Sequence, residues 1–76
     1  MEWMFMDAQD RLVAVVRPVG NGTVKSPRRW WLSWAPRLLD KRDRGYAHRW
    51  EAMAAVLMEC PSATTMVFNR RGQRLR

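Results

Sequence analysis

Four short apolar segments and one stretch of helical spacing organise the chain. Residues 2–6 (Glu-Trp-Met-Phe-Met) are too few for a helix and rich in strand formers. Alternation there sets Trp3 and Phe5 on one face and Met4 and Met6 on the other. Residues 12–19 form a β-branched run around Pro18, and the polar segment Asp7–Arg11 between the two predicts a β-hairpin. Gly20-Asn21-Gly22 is the strongest turn signal. After it, Trp30, Leu32 and Trp34 alternate with Trp31, Ser33 and Ala35, bracketed by Pro27 and Pro36, which predicts a third strand. Trp30 and Trp34 are then expected inside, and Trp31 on the opposite, open face.

Residues 37–44 read as a charged, solvated loop that Gly45 closes, with room for an extension of the third strand at its base. Trp50, Met53, Ala54 and Leu57 fall at i, i+3, i+4 and i+7, so this stripe is expected to face the sheet, with His48, Glu51, Ala55 and Glu59 outward. Glu51 stands three residues after His48 in imitation of a capping box, and Pro61 stops the helix. Residues 63–69 predict a last strand, with Met66 and Phe68 on one face and Val67 on the other. Asn69–Gly72 reads as a turn, and Gln73–Arg76 either folds back as a strand stub or stays loose. The expectation is one α+β domain over residues 1–76, with 70–76 a basic C-terminal tail. Its antiparallel sheet has three to four strands in β-β-β-α-β order, and the helix packs on one face.

Composition strengthens the case for a folded domain. Five Trp, two Phe, one Tyr and six Met are a heavy apolar load for 76 residues, since each aromatic buries roughly 150–250 Å². Cys60 is the only cysteine, so no internal disulfide can form and a cytoplasmic setting is expected. Residues 1–20 lack the basic start and apolar core of a secretory signal. The longest apolar run, Ala52–Met58, is far short of the roughly 20 residues that span a bilayer. A membrane partner is therefore not expected.

Charge changes the picture most. The formal net charge is +7, and all fourteen basic residues except Lys25 and Lys41 are Arg. The guanidinium fork matches phosphate and carboxylate and stacks on aromatic faces. One cluster joins Arg28, Arg29 and Trp31 to Arg37, Lys41, Arg42 and Arg44; the other is Arg70, Arg71 and Arg74 in the tail, with Arg76 at its end. Cations beside aromatics suit phosphates and bases. Trp31 on the open face is the expected stacker or anchor.

The chemistry of catalysis is thin by comparison. The single His and single Cys are expected near opposite ends of the helix. No zinc-ligand spacing and no glycine-rich phosphate loop is present. No enzymatic activity, cofactor or metal is expected.

The segment from Arg29 to Leu57 joins a Trp-rich strand, a basic loop, Gly45-Tyr46-Ala47 and a helix opening on Glu51-Ala52-Met53. It resembles the sheet-to-helix join of small phage and prophage proteins, some of them anti-CRISPR-type inhibitors. The ending, helix, Pro61, strand and Asn69–Gly72, is similar in layout to the end of one such inhibitor. Three strands followed by a helix is also similar to the arm-type DNA-binding domain of tyrosine integrases. The resemblance implies a mobile-element origin and, with it, a host bacterial cytoplasm. Three readings follow: a nucleic-acid-binding module, an anti-defence inhibitor acting by protein contact on a nucleic-acid-handling complex, and a self-associating structural protein that buries Trp31 in a homodimer.

Overall fold

The computed structural model describes residues 1–76. Its elements are β1 (Glu2–Met6), β2 (Leu12–Val19), β3 (Arg29–Trp34), β4 (Arg44–Tyr46), α1 (Arg49–Glu59) and β5 (Thr64–Phe68). The strands form a single five-stranded sheet in the order β4-β3-β2-β1-β5, antiparallel throughout. The α+β class and the single helix match the expectation; the strand count and order do not.

Asp7 makes the first hairpin. Its Oδ1 accepts the backbone N–H groups of Gln9 and Arg11, each at 2.9 Å. Asp10 takes φ 58 to complete the turn, which a short polar side chain tolerates. The register shifts between Phe5 and Met6, so Val13 and Ala14 are both buried at the resulting bulge. The loop from β3 to β4 closes on Asp43, whose Oδ1 accepts the Trp34 N–H at 2.9 Å. After β5, Asn69 Oδ1 accepts from the N–H groups of Arg71 and Gln73, and Gly72 supplies φ 79. The end of the chain then returns along β5: Arg74 bridges Phe68, and the Val67 N–H donates to the Arg76 oxygen at 3.1 Å. The tail is thus a strand stub rather than a loose arm.

Register explains the core. Val67, Trp3, Val16 and Leu32 form one row across the sheet, and Phe5, Ala14 and Trp34 the next. Phe5, Ala14, Val16 and Leu32 have no exposed surface, and Ala52 and Val56 of α1 close over them. Trp30 and Trp34 pack against this cluster, as expected. Trp3 and Trp30 meet edge to face, with ring centres 5.4 Å apart.

Two expectations fail here. The first concerns β4, expected to be the end of a charged loop. It is three residues long and carries no apolar run, so periodicity has nothing to detect. It pairs with β3 with Gly45 opposite Trp31, and the edge atoms Cε3 and Cζ3 of the Trp31 ring lie 3.5 and 3.7 Å from where a Cβ at 45 would stand. The second concerns the helix phase. Ala52 and Val56 face the sheet, flanked by Met53, Ala55 and Cys60, while Trp50, Ala54, Leu57 and Met58 face outward. The sheet already supplies the bulk through Trp3, Phe5 and Trp30, so a close approach requires small helix residues. A large Trp50 has no room inside.

Half of the expected capping box forms: Glu51 Oε1 accepts the His48 backbone N–H at 3.0 Å. The helix ends where the Cys60 N–H donates to the Val56 oxygen, one residue before Pro61. It packs against β2, β3 and β4. No element covers the other face of the sheet.

Candidate nucleic-acid interface

Antiparallel pairing gives the sheet two distinct ends. The register of β1 against β2 and β5, and of β2 against β3, brings the start of β1, the end of β2, the start of β3 and the end of β5 together. Tyr46 ends β4 opposite Trp30, so α1 also begins at this end. The Asp7–Arg11 hairpin, the 35–43 loop and the end of α1 lie at the other.

This arrangement sorts the charges. Arg17, Lys25, Arg28, Arg29, Arg49, Arg70, Arg71, Arg74 and Arg76 belong to the first end, with only Glu2 and Glu51 among the acids. Nine cations against two acids account for the whole net charge of +7. The opposite end carries Asp7, Asp10, Asp40, Asp43 and Glu59 against Arg11, Arg37, Lys41 and Arg42. Arg44 opens β4 opposite Leu32, between the two ends, and its guanidinium stands 4.9 Å from the Tyr46 ring centre.

The fold thus brings Arg28 and Arg29 together with Arg70, Arg71 and Arg74, which are remote in sequence. It separates them from Arg37, Lys41 and Arg42, which the chain order grouped with Arg28. Two of those three are engaged locally. Arg37 donates to the Leu12 oxygen at 2.7 Å and approaches Asp7 Oδ2 at 3.4 Å. Lys41 Nζ lies 2.6 Å from Glu59 Oε1 and ties the loop to the end of the helix. Hydrogen bonding to Glu59 raises the Lys41 pKa above its usual value, and backbone N–H donation, first from Arg11, lowers that of Asp7. Both shifts mark groups committed to holding their own end of the fold.

Arg17 and Arg49 belong to the basic end although neither lies in an Arg cluster in the sequence. Arg17 is exposed on the uncovered sheet face, opposite Trp31. With Arg70, Met4 and Phe68 it lines a shallow hollow of about 520 Å³. Arg49, the first helical residue, lies over the Trp3 ring at 4.7 Å and the Trp30 ring at 5.8 Å. Beside it is a second hollow of about 500 Å³, between the helix and the returned chain end, lined by Trp3, Met53, Val67, Leu75, Arg49 and Arg76. Arg76 already stands at the end of the basic tail in the sequence; no local signal marks Arg17 or Arg49.

Trp31 lies on the uncovered face, as expected, whereas Trp50 does not lie inside. Trp31, the expected stacker, is half-buried on the uncovered sheet face, its ring against Gly45. Trp50, expected inside, is 69% exposed at the start of α1. Its ring lies nearly parallel to that of His48, at 12° with centres 6.4 Å apart. An exposed aromatic pair therefore borders the basic end.

His48 precedes α1 and Cys60 follows it, so the one imidazole and the one thiol stand at opposite ends of the helix. The Cys60 sulfur is 3.8 Å from Ser62 Oγ. No helix is long and apolar enough to cross a membrane. Comparison of the chain with family models, curated proteins and solved structures finds no match.

Proposed function

We propose that the protein is a non-enzymatic nucleic-acid-binding module that engages the phosphate backbone with its basic end. One observation carries this reading: five separate segments of the chain converge to put nine cations and two acids at one end of the sheet. A positive field of that extent steers polyanions and stabilises them by releasing condensed counterions. Arg28, Arg29, Arg70, Arg71 and Arg74 are the proposed phosphate contacts, joined by Arg17 and Arg49. Trp50 beside His48 supplies a flat apolar face for an unpaired base.

The test is a fluorescence anisotropy titration with labelled single-stranded and duplex DNA and RNA over a series of salt concentrations. About five phosphate contacts give a logarithmic salt slope of roughly −4. Replacing Arg28, Arg29, Arg70 and Arg71 together by Ala abolishes most of that slope, whereas replacing Arg11 and Arg42 at the opposite end leaves it intact. Absence of binding to every probe at low salt refutes the proposal. In that case the basic end remains available to the acidic surface of a protein, the mode of an anti-defence inhibitor.

A further inference from the structure

We infer, resting on the nucleic-acid binding proposed for the basic end, that the hollow on the uncovered sheet face holds one unpaired base of a single strand and that Glu2 selects guanine there. Register builds this hollow. Glu2 of β1 stands opposite Phe68 of β5, and the pairing of Trp3 with Val16, continued by one residue, sets Glu2 beside Arg17 of β2. Trp3, Phe5, Val16 and Val67 are buried on the helix side, so Glu2, Met4, Arg17 and Phe68 share the other face. The turn after β5 adds Arg70 as a wall, and the hollow measures about 520 Å³, within the roughly 300–1,000 Å³ of small-ligand pockets. Half-buried Met4 and Phe68 give it an apolar floor. An aromatic ring so placed stacks on a splayed base, and a methionine adapts to its outline.

The charges of the hollow are uncommitted. Glu2 and Arg17 are cross-strand neighbours of opposite sign, yet no ion pair joins them. Neither they nor Arg70 make a side-chain hydrogen bond to any group of the chain. At the opposite end Asp7 and Glu59 hold Arg11, Arg37 and Lys41. Of the two acids at the basic end, Glu51 is engaged by the His48 N–H, which leaves Glu2 as the free carboxylate.

A carboxylate repels phosphate, so its place in a polyanion site is at the edge of a base. It accepts hydrogen bonds only, through two oxygens side by side. Guanine alone presents two adjacent donors, N1–H and the N2 amino group, on its pairing edge. Adenine and cytosine offer one amino group beside a ring-nitrogen acceptor, and uracil and thymine one N–H between two carbonyls. Each of these sets an acceptor against the second carboxylate oxygen. Arg17 and Arg70 line the same hollow and suit the phosphates that flank the base. The other hollow at this end, beside Arg49, has two cations and no acidic side chain in its lining, so it offers no carboxylate to a base edge.

The experiment is an anisotropy titration of the parent and Glu2→Gln with labelled single strands of about eight nucleotides. The strands are otherwise uridine or thymidine, and the central residue is guanosine, inosine or adenosine on a ribose or deoxyribose backbone. The parent should bind the guanosine strand about tenfold more tightly than the adenosine strand, with inosine, which lacks the amino group, between them. The same order should hold on both backbones, because Glu2 meets the base and not the sugar. Glu2→Gln should lose the preference yet bind the adenosine strand at least as tightly as the parent does, an outcome that damage to the fold would not produce. If that variant does not fold, spectra of the methionine methyl groups of the parent decide: the guanosine strand shifts Met4 and leaves Met58 in place. Equal affinity for the three strands, a preference that survives in Glu2→Gln, or an unshifted Met4 overturns the inference. Binding without base preference leaves the phosphate-backbone reading standing, whereas no binding to any strand removes both.

Discussion

Arg37 donates a 2.7 Å hydrogen bond to the backbone oxygen of Leu12, beside the bulge that ends the first hairpin. The same guanidinium nitrogen stands 3.4 Å from Asp7 Oδ2. These bonds join the loop after β3 to the turn before β2, which gives Arg37 a part in the fold. Arg37→Ala should cost about 1 kcal/mol, a value reduced by its partial exposure, and leave the salt slope of nucleic-acid binding unchanged. Arg29→Ala should do the reverse: stability within about 0.5 kcal/mol of the parent, and a slope smaller by roughly one. Urea denaturation and a salt titration on each variant separate the two roles.

Asp7 and Lys41 give that end of the molecule a defined response to pH. The carboxyl of Asp7 titrates below its usual value of 3.8 because backbone N–H groups of Arg11 and Gln9 and the Arg11 side chain favour the anion. Its contribution to stability is therefore present above 3.8 and is lost as pH falls through the lower folded value. Lys41 titrates above its usual 10.5 through its hydrogen bond to Glu59, so its contribution holds below 10.5 and is lost as pH rises through the higher folded value. Urea midpoints of the parent and Asp7→Asn should differ at neutral pH and converge in strong acid. Those of the parent and Lys41→Met should converge only in strong alkali.

The helix shows where periodicity misleads. Its existence, its start at a His48–Glu51 half-box and its stop before Pro61 are all legible, because each rests on local hydrogen bonds. Its phase is not local. Trp50, Met53, Ala54 and Leu57 satisfy helical spacing, but so do Ala52 and Val56 with Met53, and the sheet opposite chooses the smaller set. Val56→Ala should cost about 2 kcal/mol, while Trp50→Ala should stay within about 0.5 kcal/mol of the parent. A urea comparison of the two variants checks the phase directly. The strands were legible wherever alternation ran for five residues or more; three-residue β4 depends on β3 for its pairing and left no trace of its own.

The candidate site was legible as composition and not as arrangement. Arg28, Arg29, Arg70, Arg71 and Arg74 stand out in the sequence, but their proximity follows from β1 lying between β2 and β5. Arg37 and Lys41 look alike in sequence and are drawn off by Asp7 and Glu59, contacts 30 and 18 residues distant. The exposure of Trp50 follows from the helix phase. It predicts that Trp50→Ala weakens binding to single strands by about tenfold, the scale of one lost base stack, with little effect on duplex. Trp31→Ala should leave both affinities near the parent's. Parallel anisotropy titrations with the two kinds of probe decide between the two tryptophans.

Gly20 links the fold to the basic end. It has φ +82, and a Cβ built there would lie 2.3 Å from the backbone oxygen of Pro27, which cannot move aside without moving the loop. Gly22 has φ +84, yet nothing lies within 4 Å of its Cβ position. Both positions favour glycine for its backbone freedom, but only Gly20 also lacks space. Gly22→Ala should therefore cost about 1 kcal/mol, the backbone effect alone. Gly20→Ala should cost more, about 3 kcal/mol, because the 20–28 loop must open. That loop leads directly into Arg28 and Arg29 at the start of β3. Gly20→Ala should accordingly lower nucleic-acid affinity even at temperatures where circular dichroism shows the sheet intact, whereas Gly22→Ala should not. Denaturation curves and anisotropy titrations on the two variants provide the comparison; equal effects on both measurements would refute the role assigned to the Pro27 contact.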